Sequence, residues 1–165
     1  VVTSYFEWSL AGKVVPLTSS MHQTTKLLSC LYFGFSTEDI FIRIDYNKTE
    51  IDKHNNIVVS IFLCVSKEQR VYRIKFELKK GNDKYLMLLS DDRQQEFEYI
   101  KIDEVVELKI PFSVIETLPN EQIKFFVLIE KVVNDKIFEL ERLPVDGMVE
   151  IVHPDSSYMK EFWNV

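Results

Sequence analysis

Three stretches of the sequence alternate apolar and polar residues with a period of two, and that alternation decides most of what the chain can become. Ile40, Ile42, Ile44 and Tyr46 fall on one side of their segment, with Phe41, Arg43 and Asp45 on the other. Tyr72, Ile74, Phe76 and Leu78 alternate with Arg73, Lys75 and Glu77, and Val106, Leu108 and Ile110 with Glu107 and Lys109. Successive strand residues point to opposite faces, so each segment reads as a strand with one face for a core and one for solvent. Leu27 to Phe35, Ile57 to Val65 and Ile123 to Ile129 are apolar on both faces and read as central strands covered on both sides.

Turn signals divide these runs. Ser36-Thr37-Glu38-Asp39, Lys80-Gly81-Asn82-Asp83 and Asn134-Asp135-Lys136 should close hairpins. Lys53-His54-Asn55-Asn56 and Ser90 to Glu96 read as longer polar loops. A single helical turn is expected over Pro111 to Glu116, with Ser113 as its cap. Many short strands, frequent turns and almost no helical pattern predict an all-β fold, an antiparallel two-sheet β-sandwich of jelly-roll or immunoglobulin-like type. No linker or low-complexity segment interrupts residues 1–165, which are expected to form one domain.

Composition narrows the function classes. A hydrophobic content of 46% is that of a globular chain rather than a disordered one. The net charge of −6 disfavours nucleic acid, which calls for a basic face. No apolar run is long enough for a membrane helix, so no membrane partner is expected. The opening residues Val1-Val2-Thr3-Ser4-Tyr5 carry neither a basic head nor a long apolar stretch, so no signal peptide is expected there. Cys30 and Cys64, each inside an apolar run, read as free thiols, which suits a reducing compartment such as the cytoplasm. His22, His54 and His153 share no ligand spacing, and neither cysteine has a C-x-x-C partner, so neither metal nor cofactor is expected. No P-loop, nucleophile elbow or dinucleotide fingerprint is present.

A set of short motifs adds a resemblance. Glu7-Trp8-Ser9-Leu10-Ala11-Gly12 and Ser19-Ser20-Met21-His22 stand near the start, followed by Leu31-Tyr32-Phe33-Gly34-Phe35-Ser36 and Ile40-Phe41-Ile42-Arg43-Ile44-Asp45. Leu140-Glu141-Arg142-Leu143-Pro144-Val145-Asp146-Gly147 and the closing Phe162-Trp163-Asn164-Val165 complete it. In this order and spacing they resemble the C-terminal region of glycoside hydrolase family 57 enzymes, the amylase, amylopullulanase and α-mannosidase-like group. The resemblance spans nearly the whole chain and implies a DOMON-like sandwich beside a separate catalytic barrel. It further implies a non-catalytic accessory role, with the N-terminal barrel of a parent chain as partner and an α-glucan or oligosaccharide as a further contact. An independent carbohydrate-binding module is the alternative. A haem or redox DOMON-type domain is another, in which Met21 or His22 would need a second ligand such as His153.

Sugars bind through apolar C–H faces on aromatic rings and through hydroxyls on charged or amide groups. Glu7, Trp8, His22, Arg142 and Trp163 are therefore the candidate carbohydrate-binding residues. The Glu7-Trp8 pair leads, although neighbours on a strand face opposite ways. For Arg142, a fork onto a carboxylate, a stack on an aromatic ring and a strut for a loop are all open. Phe41 and Phe126, on less regular strand faces, with Tyr5 and Phe6, are candidates for contact with a neighbouring domain. The isolated chain should leave maltooligosaccharides and nitrophenyl α-glucosides intact. Turnover abolished by a single Asp or Glu substitution in this chain would overturn that expectation.

Overall fold

The computed structural model describes residues 11–16, 26–67, 69–79, 86–88, 94–96, 99–155 and 157, with backbone alone at 86–88. Within these residues two antiparallel sheets face each other, as the alternation predicts. Sheet A runs β1 (Gly12–Val14), β2 (Leu28–Phe35), β3 (Asp39–Tyr46), β9 (Val106–Pro111) and β8 (Ile100–Ile102). Sheet B runs β11 (Lys136–Leu143), β10 (Gln122–Val133), β4 (Ile57–Val65), β5 (Arg70–Glu77), β6 (Leu86–Leu88) and β7 (Gln94–Glu96). A further strand, β12 (Val149–Val152), pairs with the first half of β10, on which β11 pairs with the second half.

Each alternating segment buries the face its pattern assigns. Ile40, Ile42, Ile44, Val106, Leu108 and Ile110 come from sheet A, and Tyr72, Ile74 and Phe76 from sheet B. They meet Ile61, Leu63, Phe125, Val127 and Ile129 in a single core. Burying an aliphatic side chain of this size is worth about 1.5–3 kcal/mol, so a one-residue slip of any of these strands would be prohibitive. Central positions go to β4 and β10, as their two-sided apolar runs require. By contrast, β2 lies beside the edge strand β1 and leaves Tyr32 and Gly34 only half-buried on its outer face, so that face is not covered as the sequence suggested.

The turns follow local chemistry. Asn134 and Asp135 take φ values of 48° and 59°, the paired left-handed conformations of a two-residue hairpin loop. Ser36 Oγ accepts from the backbone N–H of Glu38 and Asp39 at 3.2 and 3.0 Å, closing the β2–β3 hairpin. Lys80 to Asp83 lie outside the described residues. The helical turn falls elsewhere than expected. Residues 112–116 form a series of turns, whereas among the described residues the helix is α1 (Lys48–Ile51), capped by Asn47 Oδ1, which accepts from Glu50 N at 3.3 Å. Here Ile51 is buried in the core, which anchors a helix too short to persist alone. The expected polar loop ending at Glu96 gives its last three residues to β7, a strand exposed on both faces and therefore without an apolar signal.

One close approach ties sheet A to the core. Gly12 pairs with Phe33, and the Phe33 ring occupies the space that a Cβ at Gly12 would need. The same ring meets Phe125 of sheet B edge-on, with centroids 5.7 Å apart. Gly12→Ala should therefore cost about 1–3 kcal/mol in urea unfolding, and a Phe33→Leu background should shrink that cost. Equal stability of Gly12→Ala and the parent protein would contradict this packing.

Candidate functional site

Of the five candidate carbohydrate-binding residues, Glu7, Trp8, His22 and Trp163 lie outside the described residues, as do Met21, Tyr5 and Phe6. Arg142 lies on β11, on the outer face of sheet B. Its guanidinium sits 4.2 Å from the centroid of Phe126, and its Nη2 donates to the Gly147 carbonyl at 2.6 Å. Arg142 thus stacks on a ring and also struts the loop between β11 and β12. Its Nε is buried and has no hydrogen-bond partner.

The strand order extends this contact into a row of four side chains across β11, β10, β4 and β5. Phe126 stacks on Phe62 with centroids 4.9 Å apart and planes inclined by 8°. Arg73 lies 5.0 Å from the centroid of Phe62. Alternation puts Phe62 and Arg73 directly opposite one another on this outer face. Both phenyl rings are thus flanked by a guanidinium and by each other, which removes the open ring face a sugar needs.

Arg73 is itself fixed from below. Its Nη2 donates to Glu130 Oε2 at 2.7 Å, and its Nε and Nη2 donate to Ser60 Oγ at 3.1 and 2.9 Å. Ser60 Oγ in turn donates to the same Glu130 oxygen at 2.6 Å. Ser60 is fully buried and Glu130 only 7% exposed, so this charge is taken out of water in exchange for two short bonds, from Arg73 and from Ser60.

Glu141, beside Arg142, points to the opposite side. Its carboxylate accepts from Leu27 N at 2.7 Å and Leu28 N at 3.2 Å, at the entry to β2. The Glu-Arg pair therefore divides its work: Glu141 clasps sheet A to sheet B, and Arg142 holds the outer face and a loop. Sequence reasoning singled out Arg142 and missed Glu141, because nothing in residue spacing shows which backbone N–H groups lack partners.

His153 is buried just beyond β12. Its Nδ1 lies 3.0 Å from Thr117 Oγ1, and its ring stacks on Phe112 at 3.8 Å. Burial lowers its pKa below the usual imidazole value, against the opposing pull of hydrogen bonds to the Thr37 and Thr117 backbone and of Glu121. Cys30 and Cys64 are free and sit on different sheets, and burial raises the pKa of both thiols. Among the described residues no group of three or more His, Cys, Asp or Glu side chains could hold a metal ion, and no helix is long and apolar enough to cross a membrane.

Two other surfaces stand out. On the outer face of sheet A, Tyr32 has Lys13 and Arg43 near its ring at 5.3 and 5.5 Å, and Arg43 forks onto Asp45 at 2.7 and 3.2 Å. Phe41 lies half-buried on that face between Gly34 and Lys109. On sheet B, the end of the β10–β11 hairpin exposes Val133 (39%), Ile137 (51%), Phe138 (50%) and Leu140 (38%). Leu140 falls where the register shifts, with Glu130 opposite Glu139 and Ile129 opposite Glu141. Apolar exposure is thus greater at this edge than at Phe41 or Phe126.

In comparisons with known proteins, no family model, no curated protein and no solved structure matches this chain.

The Ser60–Arg73–Glu130 network makes a specific stability prediction. Glu130→Ala should destabilise the fold by about 3 kcal/mol, because it strands the guanidinium and the buried hydroxyl. A double Arg73→Leu, Glu130→Leu variant should lose less than the single variant. Chemical denaturation of the three proteins checks both statements, and a Glu130→Ala midpoint equal to the parent's would remove the network from the list of stabilising elements.

Proposed function

We propose that this chain is the non-catalytic accessory sandwich of a glycoside hydrolase acting on α-glucans, and that it works by seating against the catalytic barrel of its parent chain. The resemblance carried by the Glu7-Trp8, Met21-His22, Leu31 to Asp45, Glu141-Arg142-Leu143-Pro144 and Phe162-Trp163 motifs supplies the family. One structural observation supports the docking mode: the exposed Val133, Ile137, Phe138 and Leu140 at the free end of β11. Among the described residues β11 pairs only with β10, so it is an edge strand with apolar side chains at its tip. Free-standing proteins blunt such edges, whereas a covered edge is a normal interdomain contact of about 600–1,500 Å².

Arg142 and Glu141 serve this reading as positioning residues. Together they fix β11 between sheet A, through Leu27 and Leu28, and the β11–β12 loop, through Gly147. The C-terminal end of β11 is therefore tied both to sheet A and to the loop that follows it. No catalytic step is assigned to the chain, whose part in hydrolysis is to support the barrel and its substrate groove.

Hydrogen exchange tests the proposal directly. The longest natural open reading frame containing this sequence should encode an upstream barrel. Amides of residues 136–141 should exchange at least about tenfold more slowly in that full protein than in the isolated sandwich, a protection typical of a covered strand. Equal exchange in the two proteins, or a reading frame without a barrel, would refute the assignment.

A further inference from the structure

We propose that His153 is an acid-sensitive latch: its neutral imidazole holds residues 112–121, the crossover from sheet A to sheet B, and its protonation lets that crossover open while both sheets stay paired. The proposal is independent of the functional reading above and rests on the packing at one end of the sandwich.

The first observation is that one residue holds the crossover at both of its ends. The crossover leaves β9 after Pro111 and enters β10 at Gln122. Near its start, Phe112 lies flat on the His153 ring, and Thr117 Oγ1 meets Nδ1. Near its finish, the His153 N–H donates to the Glu121 carbonyl at 2.9 Å, and the His153 carbonyl accepts from Asn120 N at 2.8 Å. Phe112 N also donates to the Glu38 carbonyl at 2.9 Å, which brings the β2–β3 hairpin to the same ring. Between these fixed points Glu116 takes a φ of 52°, a left-handed conformation that a non-glycine residue keeps only when its surroundings hold it. Arg70 grips Glu116 at 2.7 Å, but that pair is exposed and contributes little, so the buried contacts of His153 decide whether the crossover stays closed.

The second observation is that the ring has no comfortable place for a second proton. His153, Thr117 and Phe112 are all buried. A neutral ring can accept at Nδ1 from the Thr117 hydroxyl. A protonated ring carries an N–H there, so the hydroxyl must turn to accept, and its own hydrogen loses that acceptor away from water. Charged side chains stand on every described segment around the ring: Asp155 on its own, Glu116 and Glu121 on the crossover, Glu38 and Asp39 on the hairpin, and Lys67 and Arg70 at the β4–β5 turn. Of these, Glu121 favours the charged ring, yet its carboxylate is already shared between Leu118 N at 2.8 Å and Lys67 Nζ at 3.8 Å. Burial outweighs it and sets the ring below its ordinary pKa. The latch is therefore complete above about pH 6.5, the ordinary imidazole value, and is lost as pH falls from there through the lower pKa of the folded state.

Amide hydrogen exchange of the whole chain, corrected for the intrinsic effect of pH, tests this between pH 7 and pH 5. Protection at Thr117, Asn120, Glu121 and His153 should fall at least about fivefold, within a ceiling of about 30-fold set by the ordinary imidazole pKa. Residues 59–63 in the middle of β4 should keep theirs. In His153→Gln, which cannot titrate there, the crossover should show the same protection at both pH values. Imidazole NMR of the parent protein gives a second reading that needs no variant: the His153 ring should titrate below about pH 6.5, and the loss of protection should level off where it does. Unchanged protection in the parent at pH 5 would overturn the latch, as would an equal loss in β4 or in His153→Gln. Should His153→Gln fail to fold, a His153 midpoint at or above the ordinary value would overturn it alone.

Discussion

The pairing of β4 with β10 over nine residues, from Val65 opposite Ile123 to Ile57 opposite Lys131, is the constraint on which the sandwich depends. These strands occupy the middle of sheet B, and their inner residues Val59, Ile61, Leu63, Phe125, Val127 and Ile129 supply much of the core. Their outer residues cannot all reach water either. Ser60, Val58 and Glu130 are buried there, and Phe62 and Phe126 are half-buried. The outer face must therefore satisfy its own polar groups, and it does so with two guanidinium groups. Arg73 neutralises Glu130 and completes Ser60, while Arg142 closes the far side of the phenyl stack. The core organises one face of the central pair and the Arg–Phe row organises the other.

How much of this was legible in the sequence varied with the physics of each element. Ile40, Ile42 and Ile44, or Tyr72, Ile74 and Phe76, announce their strand and its buried face, because burial dominates their energetics and recurs every second residue. Asn134-Asp135 announces its turn, since few residues tolerate two successive positive φ angles. α1 was not legible: four residues offer no helical period, and its stability comes from Ile51 in the core and the Asn47 cap. β7 escaped notice for a related reason, being exposed on both faces. At the candidate sites, the stack of Arg142 on Phe126 joins residues far apart in the chain, which local spacing cannot encode. Glu141 shows the same limit, since its partners Leu27 N and Leu28 N are defined only once the sheets have met.

The two outer faces of the sandwich solve different problems. Sheet B closes its aromatic rings under guanidinium groups and leaves apolar exposure to the end of a hairpin at its edge. Sheet A disperses charged residues among Tyr32, Phe41 and Tyr99, with a glycine where a side chain would otherwise stand.

The order in which the chain fills its sheets bears on how it is made. The first half lays down β2 and β3 in sheet A and then crosses to β4 and β5 in sheet B. Until the second half emerges, β3 lacks β9 and β4 lacks β10, so each sheet has a long, apolar strand with an unsatisfied edge. Both gaps are closed by segments synthesised much later, and non-local pairings of this kind form slowly. A nascent chain stalled between β5 and β9 would carry two sticky edges at once, a hazard for intermolecular strand pairing. The interval between translating residue 77 and residue 133 is thus the window in which this protein most needs protection by the cell's chaperones.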